Sequence, residues 1–261
     1  MSGSDDLIKA GDLDGARAAL IEAVKADPAN ARSRLALAEV LLVIGDIDRA
    51  DTHLDAAQNL DTGFALSVSL TRQLIRAAKW RDETLVAGRL PDLVTPRVAA
   101  IDAGLAAILA ARGGDAVTVP LGDQTIVDEV SVSGTIDERP FAGWYDGDDR
   151  TAGVLEVLTS TGKYLWVPFG AVRGLRWLPV ERLRDTVWQP AELDVAEGPS
   201  GVVYLPMIYH AAASEMTSDH RLGRTTDWLD GPPARGLGRR TWLIGDDAVT
   251  SSDFAALTVA A

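Results

Sequence analysis

No cysteine occurs in the 261 residues, which excludes disulfides, thiolate-bound metals and a cysteine nucleophile and suits a reducing cytoplasm. Histidine is nearly as scarce. His53, His210 and His220 are the full set, no two have the i, i+4 spacing of a helical zinc site, and each reads as a surface or capping residue. Positive charge is in deficit, with 25 Lys and Arg against 38 Asp and Glu and a net charge of −13. The deficit extends over the whole chain: 13 basic against 16 acidic residues in 1–112, and 12 against 22 in 113–261. Neither half offers the basic face that releases counterions from a phosphate backbone, so nucleic acid and anionic membranes are excluded as partners. Long apolar runs are missing too, since the most apolar stretch, Val98 to Ala111, is short and interrupted by Asp102. The start, Met1-Ser2-Gly3-Ser4-Asp5-Asp6, lacks the basic residues and apolar core of a signal peptide. The expected location is the cytoplasm.

Catalytic signatures are equally sparse. There is no Gly-x-Ser-x-Gly elbow. Thr159-Ser160-Thr161-Gly162-Lys163 lacks the upstream glycine of a phosphate-binding loop and reads as a hairpin turn. Gly236-Leu237-Gly238-Arg239-Arg240 has no dinucleotide-binding context. Asp146-Gly147-Asp148-Asp149-Arg150 gathers carboxylates without the later glycine and bidentate glutamate of a calcium loop, and is expected to be a turn braced by Arg150. No catalytic residue, metal ligand or cofactor is therefore assigned. Two enzymatic alternatives remain open: a hydrolase holding a divalent cation at Asp146 to Asp149, and acid–base chemistry by Asp185 or Asp227 with His220.

What the chain does have is a repeat. Gly11-Asp12-Leu13-Asp14, with Ala16, Leu20, Ala23 and Asp27, recurs 34 residues later as Gly45-Asp46-Ile47-Asp48, with Ala50, Leu54, Ala57 and Asp61. That is the period of a tetratricopeptide-like helical hairpin. Each Gly-Asp pair ends one helix and starts the next, while the alanines let two helices approach closely. Residues 4 to 112 read as helices almost throughout. Ser4 is expected to cap the first, Asn30 the third, and a fourth runs from Ile47 to Leu60. The third copy is degraded, because Lys79 stands where Gly11 and Gly45 stand. By the geometry of such repeats, Arg32, Leu35, Glu39 and Leu42 line the inner face of the second hairpin, where they are either partner contacts or core.

The composition changes at Arg112-Gly113-Gly114-Asp115, which divides the chain into a helical domain, 1–112, and a second domain, 115–261. Strands are expected at Thr125-Ile126-Val127, Val130-Ser131-Val132, Val154 to Leu158, Tyr164 to Val167 and Val202 to Leu205. Helical pieces are expected at Phe169 to Leu175 and Pro179 to Val187. Six of the seven tryptophans lie beyond residue 140. The fold class is α+β: a tetratricopeptide-like helical repeat domain followed by a mixed-sheet domain.

Within the second domain, Phe141, the Asp146 to Arg150 cluster, Gly153 to Val157 and Tyr164 to Phe169 form an ordered series with Leu183-Arg184-Asp185, Trp188 and Pro190 to Leu193. Val203-Tyr204-Leu205-Pro206, Arg221-Leu222-Gly223-Arg224, Asp227-Trp228, and Arg235-Gly236-Leu237-Gly238 with Arg240-Thr241 continue it. Over roughly residues 135 to 246 this series resembles the ImpE family, whose members are also called TagJ or SciE. The family's usual Arg-Leu-Gly-Pro is here Arg150-Thr151-Ala152-Gly153. The resemblance implies a non-enzymatic accessory protein of a bacterial type VI secretion system. It would bind an N-terminal helix of the small tail-sheath subunit and assist the AAA+ ATPase that recycles contracted sheath. It also marks Arg184, Asp185, Trp188, Tyr204, Arg221, Arg224, Asp227 and Trp228 as residues that either anchor a partner or hold the domain together. A general tetratricopeptide scaffold outside secretion is the remaining alternative.

Overall fold

In the structure, a computed structural model, residues 2–113 and 131–260 are described. The expected strand at Thr125-Ile126-Val127, Val130, and the Gly114-Asp115 boundary lie outside them. Helices α1 (Ser2–Lys9), α2 (Leu13–Ala26), α3 (Ala31–Ile44), α4 (Ile47–Leu60) and α5 (Ala65–Asp82) form the helical layer. Local chemistry sets their ends. Asp12, Asn30 and Asp46 cap α2, α3 and α4, each side chain accepting the N–H three residues on, from Gly15, Ser33 and Arg49. Gly45 closes α3 in the left-handed conformation, φ +92°, where its N–H reaches the Leu41 and Leu42 carbonyls. Ala16 and Ala50 are fully buried at the helix crossings. Ser4 does not cap α1: it lies within that helix, buried. With lysine in place of glycine, α5 runs through Lys79 and ends in a π-helical turn, Glu83–Ala87. A two-residue strand β1 (Asp92–Leu93) and helix α6 (Ala99–Gly113) follow.

The rest is β-rich: β2 (Ser133–Ile136), β3 (Arg139–Ala142), β4 (Trp144–Asp146), β5 (Val154–Leu158), β6 (Tyr164–Pro168), β7 (Val172–Trp177), β8 (Trp188–Val195) and β9 (Ser200–Pro206). A one-turn helix α7 (Ser218–Arg221) leads to β10 (Thr226–Leu229), β11 (Arg235–Gly238), β12 (Trp242–Ile244), β13 (Asp247–Val249) and β14 (Ala256–Val259). Nine of these strands form one sheet in the order β1-β6-β5-β9-β8-β7-β14-β2-β3. It is mixed because β1, from the helical half, pairs parallel to β6 while the other pairs are antiparallel. β10 and β11 form a hairpin, and β13-β12-β4 a small third sheet.

Two expected helices turn out otherwise. Only Phe169–Ala171 makes a 3-10 turn, after which Val172 to Trp177 extend as β7, a strand suited to a β-branched start and an aromatic end. Pro179 to Val187 is a loop with one 3-10 turn, Leu183–Thr186, because Asp185 ties down the N–H groups of Glu181 and Arg182.

The sheet separates two cores. On one face Val154, Leu158, Tyr164, Trp166, Trp188 and Tyr204 pack with Leu37, Leu41, Leu54, Leu74, Ile101 and Ile108 from the helices. On the other, Leu155, Val157, Leu165 and Val167 pack with Trp144, Phe169, Trp242 and Phe254. β5 and β6 are buried on both faces, so they read as apolar runs rather than as alternating strands.

Candidate functional site

Within the Val154-Leu155-Glu156-Val157-Leu158 strand, alternation turns Glu156 toward the helices at 1% exposure. An unpaired charge there would be prohibitive. Arg81 of α5 approaches with both prongs, Nε at 2.8 Å and Nη2 at 2.9 Å. Arg240 also binds Glu156, and Tyr164 donates its hydroxyl to it while accepting the Trp166 indole N–H at 2.6 Å. Arg240 continues to Asp146 and to the Pro206 carbonyl. Asp146 further accepts the Tyr209 hydroxyl at 2.8 Å and the Asp148 N–H at 2.9 Å. Asp148 takes Nε and Nη2 of Arg150, at 2.9 and 2.6 Å, and the Gly236 N–H. Three arginines thus meet three carboxylates in one buried seam.

Burial raises a carboxyl pKa, but Arg81 and Arg240 override it at Glu156 and hold that group well below the usual range. Asp146 is pushed up to about 6 by burial, against the pull of Arg240. Tyr164 and Tyr209 are raised far above 10, again by burial, so they act as neutral donors. The Asp146 to Arg150 cluster is therefore an arginine-braced turn whose oxygens already have protein donors; Asp149 accepts the Ala234 N–H. A cation there would have to displace a guanidinium. No group of three or more potential ligands is arranged for a metal among the described residues. His220 contacts Asp227 at 2.8 Å through Nε2, but its Nδ1 accepts the Thr217 N–H, so it serves as part of the α7 cap. Asp185 does not meet His220; it binds Arg184 instead.

Arginines of the β-rich half, Arg184 among those marked by the sequence, hold the two layers together. Arg184 donates to the Thr71 hydroxyl of α5 at 2.6 Å, and Arg182 to Glu39 of α3 at 2.6 Å. Leu183 and Val187, partly buried, pack against the helical core. Of the expected inner-face residues, Arg32 is exposed, Leu35 half-buried, Glu39 paired and Leu42 buried. The loop before β8 therefore packs on the side of α3 that carries Glu39. Trp188 and Tyr204 are buried in the shared core. Arg221 donates to the Ile44 carbonyl at the end of α3 and to Ala213. Arg224 donates to the Ile8 and Lys9 carbonyls at the end of α1, both at 2.9 Å. Two arginines three residues apart thus cap the two helices whose stop signals, Gly11 and Gly45, recur 34 residues apart, and both complement the negative helix ends. Trp228 is 46% exposed and leans on the Tyr209 ring, with centroids 5.7 Å apart.

A cleft of about 430 Å³ opens between the α3–α4 turn, the end of α5 and the segment 206–216. Its walls include Val43, Ile47, Ile208 and Met216, and its mouth carries Asp46, Asp48, Asp82 and Lys79. His210 and Asp82 meet across one end at 2.7 Å. Sequence reasoning included Glu156 and Arg240 only within the family series, without a role, and passed over Arg81 and the cleft. Glu156 carried a signal of its own, as a lone charge inside an apolar strand.

Comparison with known proteins agrees with this architecture. The model of the ImpE protein family matches residues 138–258, and that of a tetratricopeptide repeat matches residues 7–74. The type VI secretion system accessory component TagJ of Pseudomonas aeruginosa is 36% identical over 229 residues, spanning 87% of this chain and 81% of that protein. An X-ray crystal structure of a Vibrio parahaemolyticus protein, 28% identical, superposes with a TM-score of 0.89 over 99% of this chain and 98% of that one. No helix among the described residues is long and apolar enough to cross a membrane.

Proposed function

The chain belongs to the ImpE family, and on that premise we propose that it is a non-enzymatic adaptor of a bacterial type VI secretion system, working in the cytoplasm. It holds an N-terminal helical segment of the small tail-sheath subunit, and through that contact it modulates the AAA+ ATPase that recycles contracted sheath. The observation that carries this is the extent of the likeness to TagJ, which takes in both the helical repeat and the sheet. Two features of the chain support it. The buried charges that would serve an enzyme are consumed in holding the fold together: Arg81 with Glu156 joins helices to sheet, and Arg240 with Asp146 braces the β-rich half. The helical repeat also belongs to a class of scaffold that works by binding segments of other proteins.

Titration of a labelled N-terminal peptide of the small sheath subunit into the full chain tests the reading. Saturable one-to-one binding in the micromolar range is expected. A flat titration up to high micromolar protein would refute it.

A further inference from the structure

The two arginines that cap helix ends differ in one respect. Arg224, on the carbonyls of Ile8 and Lys9, also has a carboxylate beside it, that of Asp219 at 3.3 Å. Arg221 has only the carbonyls of Ile44 and Ala213, and its guanidinium carries more N–H donors than those two acceptors use. Burial lowers its pKa, opposed by the more distant Asp14, which is itself paired with Arg17 at 2.9 Å. Arg221 also lines the cleft between the α3–α4 turn and the segment 206–216. We propose that this cleft binds a small carboxylate with an apolar body, whose charged group takes at Arg221 the place that Asp219 takes at Arg224.

Size and lining fit such a molecule. At about 430 Å³ the cleft lies toward the small end of the roughly 300–1,000 Å³ of sites that hold a small ligand. Buried Trp188 and half-buried Ile47, Ile208 and Met216 give its walls apolar surface for the body. The other charges of the lining are satisfied within the chain. Asp46 has Arg49 at 3.1 Å, Asp48 has Lys79 at 2.6 Å, Asp82 has His210 at 2.7 Å, and Arg81 has Glu156 at 2.8 Å. Among the described residues this leaves Arg221 as the lining cation without a carboxylate. A cationic ligand finds no free carboxylate to pair with, whereas an anionic one gains a charge-assisted contact in a wall partly shielded from water. The site is independent of the adaptor reading, since it needs no protein partner.

The experiment is methyl NMR of the full chain, labelled at isoleucine and methionine, titrated with hexanoate, hexanol and hexylamine. The three probes share one apolar body and differ in the head group. Hexanoate should bind saturably at or below about ten millimolar, the range open to so few atoms, and shift the methyls of Ile47, Ile208 and Met216. Hexanol and hexylamine should bind about tenfold more weakly or worse, the scale of one hydrogen-bonded charge. Arg221→Gln should bring hexanoate down to the level of hexanol, while Arg224→Gln, at the twin cap, should leave it unchanged. Should Arg221→Gln unfold, the ranking of the three probes on the wild-type chain decides alone. Hexylamine or hexanol binding as tightly as hexanoate, a hexanoate titration that does not saturate, or shifts confined to methyls outside the cleft would each overturn the proposal. So would undiminished hexanoate binding by a folded Arg221→Gln.

Discussion

Arg81, near the end of α5, grips both carboxylate oxygens of Glu156 in the middle of β5, at 2.8 and 2.9 Å, with 12% of one side chain and 1% of the other exposed. The two lie 75 positions apart in sequence, one in each half of the chain, so the pair welds the helical layer to the sheet. Such a pair contributes little net stability relative to an apolar filling, because desolvation offsets attraction, but breaking it strands a buried charge.

Arg81→Met should therefore cost about 3–5 kcal/mol in urea unfolding, near the full penalty for an orphaned buried ion, lessened where Arg240 compensates. Adding Glu156→Gln to it should cost less than the sum of the two single changes, since the second removes the charge that the first leaves unpaired. Because one core is shared by helices and sheet, both variants and the wild type should melt in a single transition. Two well-separated transitions would show that the layers fold independently.

Stability against pH should carry the mark of the same residue. The folded pKa of Glu156 lies below its ordinary 4.5, so the unfolded chain takes up that proton first as pH falls. Its contribution is complete above pH 4.5 and is lost as pH drops toward the depressed folded value. Asp146 has the opposite sign. Its pKa is raised from 3.8 to about 6, so the folded chain protonates first and stability rises as pH falls between those values. Urea midpoints of wild type and Glu156→Gln between pH 8 and pH 3 check this: the variant should start lower and fall less steeply below pH 4.5.

The turn after α3 supplies two substitutions with separable causes. Gly45→Ala places a Cβ on a residue at φ +92° and should cost roughly 1–2 kcal/mol from backbone strain. Arg221→Ala removes the charged donor from the Ile44 carbonyl and should cost about 1–2 kcal/mol from the lost helix cap. Thermal melts of the pair and of the Arg224→Ala counterpart at α1 would show whether the two caps add, as distinct sites should.

Much of this was legible locally. Gly11, Asp12, Asn30, Gly45 and Asp46 act on their own neighbours within four residues, and the helices start and stop where those residues place them. The Thr161-Gly162 turn between β5 and β6 was readable for the same reason, with Gly162 at φ +83°. Reading failed where two signals shared a segment: Phe169 to Leu175 holds a 3-10 turn followed by half a strand. It could not reach what lies far off in sequence. Helical spacing alone suggested a common side of α3 for Arg32, Leu35, Glu39 and Leu42, and nothing within that helix says that a loop 143 positions away will pair with Glu39. Arg221 and Arg224 were marked as well, but their targets, backbone carbonyls of α3 and α1, have no side-chain signature to find.

Trp188 and Trp228 separate core from surface within the series of motifs marked by the sequence. Trp188 is 4% exposed in the core shared by helices and sheet, so Trp188→Ala should cost about 3–5 kcal/mol and lower the melting temperature by many degrees. Trp228, half in solvent, packs on Tyr209 and over Gly147, and Trp228→Ala should cost only about 0.5–1.5 kcal/mol. Gly147 gives an independent check, because a Cβ there would lie 2.3 Å from the Trp228 ring and must push it away. Gly147→Ala should therefore lose about as much stability as Trp228→Ala, and the double variant little more than either. A double variant whose loss equals the sum would mean that the ring does not rest on Gly147 in solution, leaving Trp228 free to turn outward.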